Sequence, residues 1–306
     1  MHTKPALAHA AHTGAIYALA IAPDGAVLSG GGDGAVLSWR TDAPDLVNAV
    51  ARTTAPVQAI LPCGDLLLLG TATGELFVIS TTRKSVVQGI TAHAKGIYAM
   101  AALGSDRIAC AGGDGILSIW QLGTGTGCER VRNIPLCDAK LRGLALDHRG
   151  DRLAVACGDG TVRVLETTDF NEVNTYAGHA EGANTVVFHP TKPVLVSGGK
   201  DGHIRVWESA GSRQVMAIAA HRSTIYQLAF DSTASLLASA SRDKSVKLWD
   251  ANTFEPIDRL DAEYGGHSHS VNAVVWSGRS LFTAGDDRKL LCWTPPAHDQ
   301  QADPTA

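Results

Sequence analysis

The sequence predicts an all-β protein, a seven-bladed β-propeller built from four-stranded antiparallel blades. The first observation is a repeat of about 42 residues, in which a Gly-Asp-type turn precedes a short apolar strand. The Asp position of successive repeats is occupied by Asp33, Thr73, Asp114, Asp159, Asp201, Asp243 and Asp287. The second observation is that Trp stands six residues after this position in five of the seven repeats. A repeat of this length and residue pattern is typical of one propeller blade.

The sixth repeat shows how one unit becomes one blade. Its strand-forming runs are Ile225 to Phe230, Leu236 to Ser241 and Ser245 to Asp250, separated by short polar turns and followed by a weaker fourth run. Four short strands joined by tight turns predict one antiparallel sheet. Such a sheet has two apolar faces, so neighbouring sheets must cover it, and radial stacking in a ring achieves this.

The two ends of the chain predict how the ring closes. Residues 4–9 stand where other repeats carry their fourth strand, whereas no fourth strand follows Trp293. We therefore expect residues 4–9 to complete blade seven, so that residues 1–294 form one propeller. The polar segment 295–306 is expected to be a disordered tail.

Composition narrows the classes of function. A net charge of −4 does not favour direct binding to nucleic acid or to anionic membranes. The six cysteines lack CxxC spacing and several lie in strand-like runs, as expected of reduced, packed thiols in a cytoplasmic protein. We expect no signal peptide, no membrane span, no bound metal and no cofactor, and a monomer outside any complex.

The repeats resemble those of the WD40 family over residues 4 to 294. The resemblance implies a buried hydrogen-bonded tetrad of His, Ser or Thr, Asp and Trp in each regular blade. Carried over by position, the tetrads are His12, Ser29, Asp33 and Trp39; His179, Ser197, Asp201 and Trp207; His221, Ser239, Asp243 and Trp249; and His267, Thr283, Asp287 and Trp293. We interpret them as structural, since a catalytic Ser-His-Asp constellation would occur once and not in blade after blade.

Three blades depart from the tetrad pattern. Blade three carries His93, Asp114 and Trp120 but has Cys110 at the hydroxyl position. Blades two and four lack the network, and their positions are occupied by Thr53, Leu69, Thr73 and Ile79, and by Cys137, Val155, Asp159 and Leu165. An incomplete buried network is better replaced by apolar groups, so these blades still fit the fold.

A binding surface is predicted on the face of the ring that carries the start of each innermost strand. Five residues after each tetrad His position stand Tyr17, Gln58, Tyr98, Arg142, Asn184, Tyr226 and Asn272, which include three of the five tyrosines of the chain. Lys140 lies close by in sequence, and the residues just before the turn Asp add Lys200, Arg242 and Asp286. Tyr and Arg are enriched at binding hot spots, and the basic residues would suit a partner with acidic groups.

These features favour a protein-interaction scaffold that binds a peptide or a partner surface, without catalytic residues. One alternative is an assembly factor of a nucleoprotein complex that uses the basic residues of blades four to six. A second is a hydrolase or metalloenzyme of the propeller class. The innermost strands argue against it, because they are apolar and bring no ring of carboxylates or histidines to the channel.

Overall fold

Short β-branched and apolar runs between Gly- and Asp-containing turns form 28 strands in the computed structural model, which describes residues 3–43, 46–123 and 127–295. These strands make seven four-stranded antiparallel sheets that follow one another in chain order. The innermost strand of each sheet contacts the innermost strands of the two neighbouring sheets, including that of the last sheet with the first. The predicted seven-bladed propeller is therefore confirmed.

The strand bounds of the first four blades are as follows. Blade one comprises β2 (Ile16–Ile21), β3 (Val27–Gly31), β4 (Ala35–Trp39) and β5 (Val47–Arg52). Blade two comprises β6 (Val57–Cys63), β7 (Leu66–Thr71), β8 (Glu75–Ser80) and β9 (Ser85–Thr91). Blade three comprises β10 (Ile97–Leu103), β11 (Arg107–Gly112), β12 (Ile116–Gly123) and β13 (Gly127–Pro135). Blade four comprises β14 (Leu141–Leu146), β15 (Arg152–Cys157), β16 (Thr161–Glu166) and β17 (Glu172–Ala177).

The remaining blades keep the same order. Blade five comprises β18 (Ala183–Phe188), β19 (Val194–Gly199), β20 (His203–Glu208) and β21 (Gln214–Ala219). Blade six comprises β22 (Ile225–Phe230), β23 (Leu236–Ser241), β24 (Val246–Asp250) and β25 (Pro256–Leu260), and a short 3₁₀ helix (Ala262–Tyr264) follows it. Blade seven comprises β26 (Val271–Ser277), β27 (Ser280–Gly285), β28 (Leu290–Trp293) and β1 (Pro5–His9).

The hydrophobic core lies between the blades. Each cluster of buried apolar side chains draws on two adjacent blades, as where Leu117 and Ile119 of blade three meet Leu141 and Val155 of blade four. An equivalent cluster joins blade seven to blade one across the closure. The apolar faces that a single sheet would expose are thus covered by its two neighbours.

Closure by the N-terminal strand is confirmed. β1 pairs antiparallel with β28, with Pro5 opposite Trp293 and His9 opposite Leu290. Thr3 adds two hydrogen bonds to the Asp258 carboxylate of blade six, donated by its backbone N–H at 3.1 Å and its hydroxyl at 2.8 Å. The last blade is therefore assembled from both ends of the chain.

Two sequence expectations concern the ends and the environment of the chain. Of the segment 295–306, which is expected to be disordered, residues 296–306 lie outside the described residues. Among the described residues, no helix has the length and apolar character needed to cross a bilayer.

Candidate functional site

The expected tetrads are hydrogen-bonded chains in the structure. In blade one the His12 ring nitrogen Nδ1 lies 3.1 Å from Asp33 Oδ1, and Nε2 lies 2.8 Å from Ser29 Oγ. Trp39 Nε1–H donates to the same hydroxyl at 2.7 Å. Blades five, six and seven repeat the arrangement with His179, His221 and His267. A buried polar chain in which every group is paired rigidifies the blade that holds it.

The Asp residues of these hydrogen-bonded tetrads are ionised. Burial disfavours ionisation of Asp33, but hydrogen bonds from the Thr13 and Ala35 amides and from His12 outweigh burial and lower its pKa to about 2. The same balance lowers the pKa of Asp243, through its hydrogen bonds with His221, Ser245 and the Arg222 amide. Each tetrad thus links the loop before the innermost strand of a blade, which carries the His, to the turn between its second and third strands, which carries the ionised Asp.

Blade three completes its tetrad from a different strand. Ser118 on β12, and not Cys110 on β11, supplies the hydroxyl, which lies 2.8 Å from His93 Nε2 and accepts from Trp120 Nε1–H at 2.8 Å. Cys110 and Ser118 face each other across β11 and β12. Either strand can therefore bring a hydroxyl to the same place. The signal in the sequence was a Ser two residues before Trp120.

We expect Ser118→Ala to lower the free energy of unfolding by about 1–3 kcal/mol, because it leaves the buried nitrogens of His93 and Trp120 without their shared partner. Cys110→Ala is the matched control on the facing strand and should cost less. Urea unfolding followed by Trp fluorescence measures both. A larger loss for Cys110→Ala would show that the hydroxyl of Ser118 does not complete the network.

The residues predicted to bind a partner share one backbone feature. In blade one Ile16 pairs with Gly31 and Ala18 with Gly30, so Tyr17 is an extra residue in a β-bulge of β2. The pairing skips the equivalent residue in the other six blades as well, namely Gln58, Tyr98, Arg142, Asn184, Tyr226 and Asn272. A β-bulge turns a side chain away from the pleat of its strand.

The seven bulged side chains converge on one end of the channel. Together with Asp286 they line a depression of about 390 Å³, which we call the channel mouth. Below the mouth the channel is lined by residues that come after the bulge in the innermost strands, both apolar, such as Leu19, Ile60 and Met100, and polar, such as Thr185 and Gln227. The rings of Tyr17 and Tyr98 have room at the mouth because Gly32 and Gly113 lie against them. A Cβ at Gly113 would come within 2.8 Å of the Tyr98 ring.

Tyr98 joins blade three to the basic residues of blade four. The Arg142 guanidinium lies over the Tyr98 ring at 4.7 Å from the centroid, and Lys140 Nζ donates to the Tyr98 hydroxyl at 3.0 Å. Lys140 is exposed and Arg142 is partly exposed. The cations are therefore held in place by the ring while still open to a ligand.

Two of the bulged residues also hold neighbouring blades together. Asn184 Nδ2 donates to the Ile225 carbonyl of blade six at 3.1 Å, and Asn272 Nδ2 donates to the Ile16 carbonyl of blade one at 3.0 Å. Asn184 is only 4% exposed, unlike the open contact that the sequence suggested. Its Oδ1 is buried and has no hydrogen-bond partner among the described residues. Asn184 thus combines a structural bond with one free acceptor at the channel mouth.

Of the three charged residues that precede the turn Asp, only one lines the channel mouth. Lys200 and Arg242 are exposed but do not line the channel mouth, whereas Asp286 does. Asp286 accepts from Asn272 Nδ2 at 2.7 Å, and its charge adds to burial in raising the pKa of Tyr17. The mouth therefore has a basic side at Arg142 and an acidic side at Asp286, and Lys140, which does not line the mouth, lies beside the basic side against Tyr98.

The fold and its tetrads define a class of protein, the repeat propellers whose blades are built on His–hydroxyl–Trp chains. The WD domain, G-beta repeat family matches residues 4–40, 84–121, 170–208, 212–250 and 259–294, more than half of the chain, so the protein belongs to the WD40 family. Each matched segment carries one of the five tetrads, and the first three strands of blades two and four fall between the segments. No curated protein matches the chain. Propellers of this family typically serve as protein-interaction scaffolds and are usually not catalytic.

Proposed function

We propose that the protein is an interaction scaffold that binds a peptide segment of a protein partner at the channel mouth. The observation that carries the proposal is the convergence of seven bulged side chains, three of them tyrosines, on one depression. Aromatic side chains contribute large, rigid contact areas, and Arg adds directional donors, which is the composition of binding hot spots.

The charges at and beside the mouth favour a ligand with an acidic group. Lys140 and Arg142 lie side by side against Tyr98, and both are available to an acceptor. A ligand carboxylate there would receive charge-assisted hydrogen bonds from a planar guanidinium and an ammonium group. The opposite side, at Asp286, suits a backbone N–H or a basic side chain. A peptide with an acidic residue followed by a neutral or basic segment fits this distribution.

In an array of fluorescent peptides, we expect those with an acidic residue beside a neutral or basic segment to bind most tightly, with affinity that falls as salt is raised. Tyr98→Ala and Tyr226→Ala should each weaken binding about 5–30-fold, the equivalent of 1–2 kcal/mol, while changing the free energy of unfolding by no more than about 0.5 kcal/mol. Fluorescence anisotropy measures the affinity, and thermal unfolding provides the comparison in stability.

A pair of charge reversals on one blade provides the matched control. Arg142→Glu removes a cation at the channel mouth, whereas Arg149→Glu removes an exposed cation from the β14–β15 turn at the other end of the same blade. Only the first should abolish preference for acidic peptides. Equal losses would indicate an effect of net charge and not of the mouth. A single-stranded oligonucleotide that outcompetes the peptides would favour the nucleoprotein alternative instead.

A further inference from the structure

Blade four has thiols at two positions of the tetrad region. In blade one, Gly31 must lack a side chain because a Cβ there would lie 2.5 Å from His12 Nδ1 and 2.6 Å from Asp33 Oδ1. In blade four, Cys137 stands at the His position and Cys157 at the Gly position. The second thiol therefore occupies space that an imidazole fills in the regular blades.

The two thiols and the turn carboxylate meet in this space. The Sγ atoms of Cys137 and Cys157 and a carboxylate oxygen of Asp159 all lie within 4.8 Å of one another. Among the described residues no other group of three such ligands is this close. Cys157 is fully buried, Cys137 is partly buried and Asp159 is exposed, so the cluster opens to solvent through the carboxylate.

The spacing suits a tetrahedral metal ion. Bonds of about 2.0–2.3 Å place the ligand atoms of a tetrahedral zinc site roughly 3.3–3.8 Å apart, so small side-chain rotations would close the cluster around an ion. Cys137 Sγ now donates to the Ala139 carbonyl at 3.3 Å. Loss of that proton would free the sulfur for a metal, and a water molecule or the carbonyl could complete the four ligands.

A positive charge next to the cluster would help to balance the negative charge of a metal-bound site. The Arg163 guanidinium lies beside the cluster, with Nη2 3.5 Å from Asp159 Oδ2. Two thiolates and a carboxylate are balanced by a divalent ion together with this guanidinium, whose other ion pair is with Glu172 at 3.3 Å.

We propose that Cys137, Cys157 and Asp159 form a binding site in blade four for a thiophilic divalent cation of the Zn²⁺ class. Binding forms two metal–sulfur bonds and one metal–oxygen bond and releases the two thiol protons to solvent. Because binding displaces these protons, affinity should rise with pH. The site adjoins the basic residues beside the channel mouth, since the Gly158 N–H donates to the Lys140 carbonyl at 2.8 Å.

Titration of the reduced protein with Zn²⁺, in competition with a chromophoric chelator, is expected to reveal one site. Cd²⁺ should bind there with the ultraviolet charge-transfer band of a cadmium thiolate. Cys137→Ser and Asp159→Asn should weaken Zn²⁺ binding by more than about 10-fold, whereas Cys128→Ser, which removes a buried thiol from blade three, should not change it. Asp159 is exposed, so its variant remains informative if a cysteine variant does not fold.

Alkylation of the wild-type protein gives a measurement that needs no variant. Bound Zn²⁺ should protect Cys137 from iodoacetamide at least about 10-fold, and a chelator should restore its reactivity. Protection of Cys137 together with loss of the site in Asp159→Asn would support the proposal. The absence of Zn²⁺ binding, binding unchanged in Asp159→Asn, or protection of other cysteines alone would overturn it.

Discussion

Removal of residues 1–10 is expected to lower the free energy of unfolding by about 3 kcal/mol or more, the largest single effect that the structure predicts. The deletion removes β1 and exposes the edge of β28 to solvent. The side chains of Leu290, Leu291 and Trp293 on β28 are almost completely buried in the intact protein. Each large apolar side chain that returns to water costs about 1.5–3 kcal/mol. An exposed strand edge also invites pairing between molecules.

Thermal unfolding and size-exclusion chromatography measure this effect, and two point variants of β1 test its cause. Leu7 packs against the cluster that joins blades seven and one, whereas the side chain of its neighbour Ala6 is exposed. Leu7→Asp should reproduce much of the destabilisation, and Ala6→Asp should be nearly neutral. If the truncated protein melts with the full-length protein and stays monomeric, β1 does not hold the ring closed.

Asp243→Ala is expected to cost about 1–3 kcal/mol of unfolding free energy, because it strands the donors of His221, Ser245 and the Arg222 amide. Asp159→Ala is the matched control, since it occupies the same turn in a blade without a tetrad His. Measured with a chelator present, the control should lose less. Equal losses would mean that the turn, and not the tetrad, requires the carboxylate.

The cost of Asp243→Ala should also depend on pH. The pKa of Asp243 is lowered in the folded protein, so its contribution is present above the ordinary Asp value of about 3.9. The contribution is lost as the pH falls below that value through the folded pKa. Denaturant unfolding at several pH values should therefore show the difference between wild type and variant shrinking on the acid side and constant near neutrality.

The blades were predictable because each is specified locally. A turn with a Gly or Asp signal, an alternating strand and a Trp recur at a nearly constant interval, and tight turns set which strands pair. Closure was predictable by counting strands, since the last repeat lacks one that the first residues can supply. The tetrad positions followed from the same spacing wherever His, hydroxyl, Asp and Trp were all present.

Contacts across strands and between blades were not predictable in this way. Ser118 completes the tetrad of blade three because it is paired with Cys110 on the adjacent strand. Only the register of the two strands shows that either position can supply the hydroxyl. Asn184 was expected to be an open contact, but it is buried because its amide bonds to a carbonyl of the next blade. Cys137 and Cys157 are 20 positions apart in the sequence, without a recognisable metal motif.

The repeat pattern in the chain was sufficient to establish a propeller of seven blades, because period, turns and strand alternation are properties of neighbouring residues. The shape of the channel mouth depended on the folded ring. A bulge at the same place in each innermost strand turns Tyr17, Tyr98 and Arg142 toward a common centre, although they belong to different blades. Such convergence arises only when the blades close around an axis, since it depends on distances between residues that the sequence separates by tens or hundreds of positions.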